Sequence, residues 1–170
     1  NDGDSIKNST VAIEIRDFSG ELLYNHEFSV DVKPNTSEKV FTEKKKGIVT
    51  KNKLNEVLLR AKMIFNNEII CQNDYIFDRP KNLKIPKQDF FTTVEKSGDI
   101  YFIKIQSKSF IYRFYALCSN YFGRFDMNYF NMFPGETRTI KFFPSKDMKE
   151  DFDFKPIFEY KHLSAVVALQ

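Results

Sequence analysis

Short segments in which apolar and polar residues alternate recur along the chain, with turn residues between them. From 11 to 15 the bulky aliphatic residues occupy every second position, a turn signal follows at 17–20, and alternation resumes from 22 to 32. A period of two places alternate side chains on opposite faces of an extended strand. The first 32 residues therefore predict a β-hairpin with one apolar and one polar face.

The segment 54–65 fits two periods. Its apolar residues match a helical stripe and also the alternation of a strand, so periodicity alone does not decide between them. Asn66-Asn67 is a favourable hairpin turn, and an apolar run returns from it at 69–71. We therefore predict a strand at 54–65, with a helix as the alternative.

The second half repeats the arrangement of strands and turns. A strand is predicted at 90–95, a turn at 97–99 and an alternating strand at 101–105, and the last strand is predicted at 163–167. The run 109–117 is apolar on both faces, which is typical of a strand in the middle of a sheet. Because no βαβ alternation occurs, the fold class is all-β, with two tandem immunoglobulin-like antiparallel β-sandwiches.

Length and proline placement divide the chain. Its 170 residues are long for one small sandwich and sufficient for two, since an immunoglobulin-type sandwich needs about 100 residues or slightly fewer. Pro80 and Pro86 bracket a charged stretch that we expect to be extended and free of helix. We predict one domain at 1–79, a linker at 80–87 and a second domain at 88–170. Since an initiator Met is lacking, we expect an excised fragment.

Nearly balanced charges limit the classes of partner. The formal net charge of +3 is too small to indicate nucleic-acid binding. The basic run at 43–46 indicates a solvated loop tip, which follows a short strand predicted at Val40 and Phe41. No apolar run approaches the ~20 residues of a membrane span, and the first residues lack a signal-peptide pattern. We predict neither a nucleic-acid nor a membrane partner.

Cysteine and histidine usage indicates neither a disulfide framework nor a metal site. Cys71 and Cys118 are well separated in sequence, and we predict two buried thiols. His26 and His162 are also far apart, and the chain has neither a CxxC motif nor a cluster of histidine and cysteine. We therefore predict no metal and no cofactor.

The segment 123–136, GRFDMNYFNMFPGE, has the most distinctive order of residues in the chain. Pro134-Gly135 is a turn signal, and the alternating run after it predicts a strand at 137–143. The large apolar residues ahead of the turn are interpreted first as a structural plug that packs on a core: Phe125, Tyr129, Phe130, Met132 and Phe133. The alternative interpretation is contact with a sugar, for which the candidate residues are Tyr121, Arg124, Asp126 and Asn128.

This segment is similar to the Asp-Asn-Phe-Phe-Asp-Leu-x-Pro-Gly-Glu segment in the last β-sandwich domain of β-mannosidases of glycoside hydrolase family 2. The stretch 77–86 resembles the Phe-Phe-x-x-Pro-Lys-Asp-Leu-x-Leu-Pro connection between the two terminal sandwiches of the same enzymes. Two positions depart from the pattern, since Met127 and Asn131 stand where the family often has Asp. This chain therefore lacks both of those carboxylates.

The resemblance implies a retaining hydrolysis of β-mannosides by two glutamates on a (β/α)₈ barrel. The chain has neither the length nor the βα alternation of such a barrel, so none of its glutamates matches a catalytic position, and no catalytic residue is predicted. The first hypothesis is an accessory region whose partner is the catalytic barrel of the same parent chain. The alternatives are a carbohydrate-binding module for a mannose-containing oligosaccharide and an immunoglobulin-like adhesion domain.

Two glycosylation sequons bear on the expected location of the parent protein. Asn8-Ser9-Thr10 and Asn35-Thr36-Ser37 both satisfy the Asn-x-Ser/Thr pattern, which also arises by chance in chains rich in Asn. We expect a periplasmic or secreted bacterial parent, or a lysosomal one if the source is a eukaryote.

Overall fold

The computed structural model describes residues 4–43, 54–145 and 156–162 of the chain. It divides into two compact units, residues 1–84 and 85–170. The division lies inside the segment 80–87, although the three predicted boundaries themselves stay predictions. The basic run from Lys44 onward and the strand predicted at 163–167 lie outside the described residues.

The described part of unit 1 forms one antiparallel sheet of four strands. The strands are β1 (Ile6–Asp17), β2 (Leu22–Val32), β3 (Val57–Phe65) and β4 (Glu68–Ile76), in the spatial order β2-β1-β3-β4. Neighbouring strands in the chain form two hairpins, β1–β2 and β3–β4, and β1 pairs with β3 across the middle.

Local turn chemistry sets both hairpins. At the first turn, Asp17 Oδ1 accepts hydrogen bonds from the N–H groups of Ser19 at 2.9 Å and Glu21 at 3.0 Å. At the second turn, Asn66 and Asn67 have φ angles of 51° and 63°, the left-handed conformations that a two-residue hairpin loop requires. The predicted first hairpin and the strand predicted at 54–65 are confirmed, and the alternative of a helix is wrong.

Three other expectations for unit 1 are corrected. Val40 and Phe41 form no strand; Phe41 instead packs its ring on Phe28, with centroids 5.5 Å apart. Cys71 is exposed rather than buried. The stretch after Pro80 is not wholly extended, since Pro80–Asn82 is one turn of 3-10 helix with proline in its first position, where the missing N–H does no harm.

Unit 2 contains two antiparallel sheets. The first has the order β5-β6-β10-β8 and the second the order β11-β7-β9. The strands are β5 (Phe90–Ser97), β6 (Ile100–Ser107), β7 (Ile111–Cys118), β8 (Gly123–Phe125), β9 (Phe130–Met132), β10 (Thr137–Pro144) and β11 (Phe158–Lys161). As predicted for the run 109–117, β7 is the middle strand of its sheet.

The core of unit 2 is built from side chains of both sheets. Ile103 and Ile105 of β6 and Ile140 of β10 pack with Ile111 and Phe114 of β7, and all five are fully buried. Two antiparallel sheets that enclose a shared apolar core form an immunoglobulin-like sandwich. The described residues contain no α-helix, so none that could cross a membrane, and the predicted all-β class is confirmed.

Candidate functional site

The segment 123–136 crosses from one sheet of unit 2 to the other. It begins with β8, which pairs with β10, and ends with β9, which pairs with β7. Gly123 is needed at its start, because a Cβ there would lie 2.5 Å from the Phe142 ring and 2.5 Å from the Phe143 carbonyl oxygen. Such distances are far below van der Waals contact, so the backbone approaches this closely only at glycine.

Asn128 joins the crossing segment to the middle strand of the second sheet. Its Oδ1 accepts a hydrogen bond from the Ala116 N–H at 2.8 Å, and its Nδ2 donates one to the Ala116 carbonyl at 3.2 Å. The ladder between β7 and β9 pairs Phe114 with Phe130, and the Asn128 amide continues it by one more pair. Because Ala116 is only 1 % exposed, this amide satisfies backbone groups that water does not reach.

Two further polar side chains of the segment also bind backbone groups. Asp126 Oδ1 accepts the N–H of Lys141 at 2.8 Å, and the Asp126 N–H donates to the Lys141 carbonyl at 3.0 Å. Asn131 Oδ1 accepts the N–H of Arg113 at 2.9 Å. Arg113 has a φ of 50° and lies where the β7–β9 register shifts, so Asn131 holds a bulge in place.

The predicted turn at Pro134-Gly135 is confirmed. Gly135 has a φ of 83°, and the Glu136 N–H donates to the Phe133 carbonyl at 3.1 Å to close the turn. The Glu136 carboxylate accepts the Phe133 N–H at 3.0 Å. Proline followed by a residue with positive φ is typical of a type II turn. The Glu136 side chain therefore binds Phe133, the first residue of this turn.

The other two predicted sugar-contact residues are engaged within the domain. The Arg124 guanidinium lies over the Phe143 ring, 4.5 Å from its centroid, and Tyr121 packs, partly buried, against the core. The amide of Asn128 and one oxygen of Asp126 are bonded to the backbone, as described above. The assignment of these four residues to sugar binding stays a prediction, and the contacts observed for them are structural.

The plug interpretation holds for most of the aromatic cluster and fails for one member. Phe130, Met132 and Phe133 are buried, at 8 %, 0 % and 4 % exposure. Tyr129 is 66 % exposed, has a φ of 60° and stacks on Tyr115 with ring centroids 5.3 Å apart and planes inclined by 24°. The sequence does not reveal this exposed tyrosine pair, because it depends on the positive φ that turns Tyr129 outward.

A network of ion pairs lies on one face of the unit 1 sheet, and sequence reasoning missed it. Arg60, whose side chain is 2 % exposed, binds the Asp74 carboxylate through Nε at 2.8 Å and through its second amino group at 3.1 Å. Glu14 contacts Arg16 Nε at 3.0 Å and Lys62 Nζ at 3.2 Å. Burial alone would raise the pKa of Glu14, but the bonds from Arg16 and Lys62 outweigh burial and lower it.

Burial shifts the pKa values of three titratable groups in unit 2. Burial raises the pKa of the Cys118 thiol and of the Tyr160 phenol, and it lowers the pKa of the His162 imidazole. An activated thiol needs the opposite shift, toward the thiolate. Within the described ranges, no group of three or more His, Cys, Asp or Glu side chains could hold a metal ion.

Two family models match the chain, one on each unit. A Mannosidase Ig/CBM-like domain model matches residues 1–82, and an Ig-fold domain model of the mannosidase type matches residues 84–165. The chain belongs to the mannosidase immunoglobulin-like domain families. The resemblance to the terminal sandwiches of β-mannosidases is thereby confirmed for both halves.

Solved structures share the fold of these mannosidase-type domains over most of the length of this chain. The β-D-mannosidase from Dictyoglomus thermophilum superposes with a TM-score of 0.66 and 16 % identity, over 94 % of this chain and 19 % of that one. The exo-chitosanase of Amycolatopsis orientalis gives a TM-score of 0.66 and 12 % identity, over 94 % and 23 %. The chain thus spans about a fifth of the length of these enzymes. No curated protein matches it in a sequence search.

Proposed function

We propose that the chain is a non-catalytic accessory region of a β-mannosidase-type retaining glycoside hydrolase, and that it packs beside the catalytic barrel of the same parent polypeptide. The observation that carries the proposal is the use of the segment 123–136. Asp126, Asn128, Asn131 and Glu136 each bind a backbone group of their own domain. The most distinctive polar side chains therefore build a sandwich.

The domain families and the neighbouring structures support the same proposal. Both family models are immunoglobulin-like domains named for mannosidases. In the two solved glycosidases, the matching part is about a fifth of a much longer chain. Retaining hydrolysis needs two carboxyl groups held ~5 to 5.5 Å apart on a rigid scaffold. That scaffold is proposed to lie in the rest of the parent chain.

The first experiment measures hydrolysis of a chromogenic β-mannoside by residues 1–170 and by the parent protein. We expect turnover by the parent only. Turnover by the purified 170-residue chain, retained through a second purification step, would refute an accessory role.

The second experiment separates support from substrate contact within the parent enzyme. Asn128→Ala is expected to lower the melting temperature and to speed heat inactivation, with KM at 25 °C within about twofold of the wild-type value. A raised KM with an unchanged melting temperature would instead indicate that Asn128 contacts substrate.

A second candidate function is carbohydrate binding at the pair of Tyr115 and Tyr129. An exposed aromatic ring held in a positive-φ conformation is a feature that a purely structural loop does not need. Titration of the chain with mannan oligosaccharides, followed by amide shifts, tests this candidate. Saturable shifts near Tyr129 that vanish in Tyr129→Ala would favour binding, and their absence would leave the accessory role.

A further inference from the structure

The sheet of unit 1 has an apolar face that its described neighbours leave partly open. We call it the β1 face; its members point to the same side of the sheet by register, and they include Ile13, Ile15, Tyr24, Phe28, Leu59 and Tyr75. The opposite side carries the ion pairs of Glu14, Arg60 and Lys62. An amphipathic sheet packs its apolar side against another layer.

Exposure on the β1 face is unusual for a domain core. Tyr75 is 60 % exposed. A cavity of about 410 Å³ is lined by three residues of the sheet, by Phe77 just after β4 and by four residues of the segment 39–43: Ile13, Leu59, Tyr75, Phe77, Lys39, Phe41, Thr42 and Glu43. Around β1, the core cluster has two fully buried members, Ile15 and Val57. The segment 39–43 contributes Phe41 to this face but does not fill it.

Unit 2 shows what covers the corresponding face in the same kind of domain. Its sheet β11-β7-β9 has the arrangement of β3-β1-β2 in unit 1, with a middle strand flanked by a later strand on each side, all antiparallel. The opposing sheet contains the hairpin of β5 and β6, and both of these strands precede the middle strand β7 in the chain. In immunoglobulin-type sandwiches, two strands likewise precede the middle strand and lie in the other sheet.

Unit 1 has no counterpart of β5 and β6 among its described residues. Its order β4-β3-β1-β2 matches the sheet of an immunoglobulin domain that is built from the third strand, its hairpin partner and the last two strands. We infer that the β1 face receives two antiparallel strands from the parent polypeptide, on the N-terminal side of residue 1, and that their alternate apolar side chains fill the cavity beside Tyr75.

This inference does not depend on the proposed function, since an adhesion domain would need the same two strands. We assign the face to strands of the same polypeptide and not to a separate molecule. In unit 2, the strands that cover the corresponding sheet belong to the same chain. The added hairpin would complete the first domain as an immunoglobulin-like sandwich. A second copy of the chain on the β1 face is the competing occupant.

Cys71 provides a natural probe of the β1 face. It is exposed and lies opposite Met63 in the β3–β4 register, on the same side as Leu59 and Tyr75. Cys118→Ser leaves Cys71 as the sole thiol, since the chain has two cysteines. Reaction with 5,5′-dithiobis(2-nitrobenzoic acid) is then compared between residues 1–170 and a chain extended by the preceding ~30 residues of its own gene, enough for two strands and their loops.

The expected result is a reaction at Cys71 that is about tenfold slower or more in the extended chain, together with a higher melting temperature of unit 1. The matched control is Gln72→Cys in a Cys71→Ser, Cys118→Ser background, because residue 72 lies on the opposite side of the same strand. Its reaction rate should not change with the extension.

Three other outcomes would contradict the inference. Equal rates at Cys71 with equal melting temperatures would show that the preceding residues do not occupy this face. Equal slowing at positions 71 and 72 would show general burial instead of cover on one side. Protection of Cys71 in the 170-residue chain that grows with concentration, with dimer mass by light scattering, would assign the face to a second copy. If unit 1 folds only in the extended chain, its melting transition appears only there, which supports the inference.

Discussion

The two hydrogen bonds of Asn128 allow a prediction whose size follows from the structure. Asn128→Ala removes both bonds and leaves the N–H and carbonyl of Ala116 without partners at a residue that is 1 % exposed. Each lost bond costs ~0.5–1.5 kcal/mol, and the buried, unpaired groups add to this, so we expect a total loss of about 2–3 kcal/mol. In a domain of this size, that corresponds to a decrease of roughly 10–20 °C in melting temperature.

Asn128→Asp tests the direction of the hydrogen bonds with nearly the same shape. One carboxylate oxygen can accept the Ala116 N–H, but the other would lie where Nδ2 now lies, 3.2 Å from the Ala116 carbonyl oxygen. A protonated carboxyl can donate to that carbonyl, so we expect the folded-state pKa of this Asp to exceed its unfolded value of ~3.9. A raised folded-state pKa stabilises the fold below the unfolded value, and this stability is lost as the pH rises through the folded value.

Urea unfolding of unit 2 at pH 7 and at pH 4 checks both variants. Because the chain contains no Trp, near-ultraviolet circular dichroism of its tyrosines is a suitable signal. Asn128→Asp should be clearly less stable than wild type at pH 7 and should recover part of the difference at pH 4, whereas the deficit of Asn128→Ala should stay constant. Gln106→Ala, at an exposed position on β6 of the same unit, is the control and should change stability by less than ~0.5 kcal/mol. Variants at position 128 that match this control would refute a structural role for the amide.

Three further predictions concern other contacts. Gly123→Ala should destabilise unit 2 by ~2–3 kcal/mol or prevent its folding, since the new Cβ would lie 2.5 Å from the Phe142 ring. A melting temperature within about 2 °C of wild type, which corresponds to a loss of only ~0.5 kcal/mol, would contradict the clash. Arg60→Ala should cost ~3–5 kcal/mol, because it leaves the Asp74 carboxylate, whose side chain is only 12 % exposed, without this partner. Replacing both residues by apolar ones should recover most of that loss in chemical unfolding. Glu14 has a lowered pKa, so its ionised carboxylate stabilises the fold above the ordinary pKa of 4.5, and this stability is lost as the pH falls through the lower folded-state pKa. The stability of Glu14→Gln should therefore differ most from wild type near pH 7. A difference that stays constant down to pH 3 would contradict the contribution of the ion pairs.

Sequence reasoning located the strands of this chain wherever a local signal was sufficient. The turns at 17–20, 66–67 and 134–135 depend on residues that bond their own backbone or accept positive φ, so neighbouring residues alone specify them. Alternation over 11–15 and 101–105 specified which side chains face the core. Val40 and Phe41 are apolar, but neither a turn signal nor a sustained alternation accompanies them. In the structure they form no strand, and the Phe41 ring packs on Phe28.

The roles within the candidate site required the tertiary structure, because its contacts join residues far apart in sequence. Asn128 binds Ala116, which lies on another strand. Arg60 pairs with Asp74 because of the register between β3 and β4, and the period of the apolar residues along the sequence does not specify that register. The outward orientation of Tyr129 depends on a backbone angle that its residue type does not favour. The sequence by itself determined an all-β chain with two related halves, since period and turn chemistry are local. Only the tertiary structure decided which polar side chains hold the sandwich together and which apolar face is left for two further strands, since both follow from the packing of one layer on another.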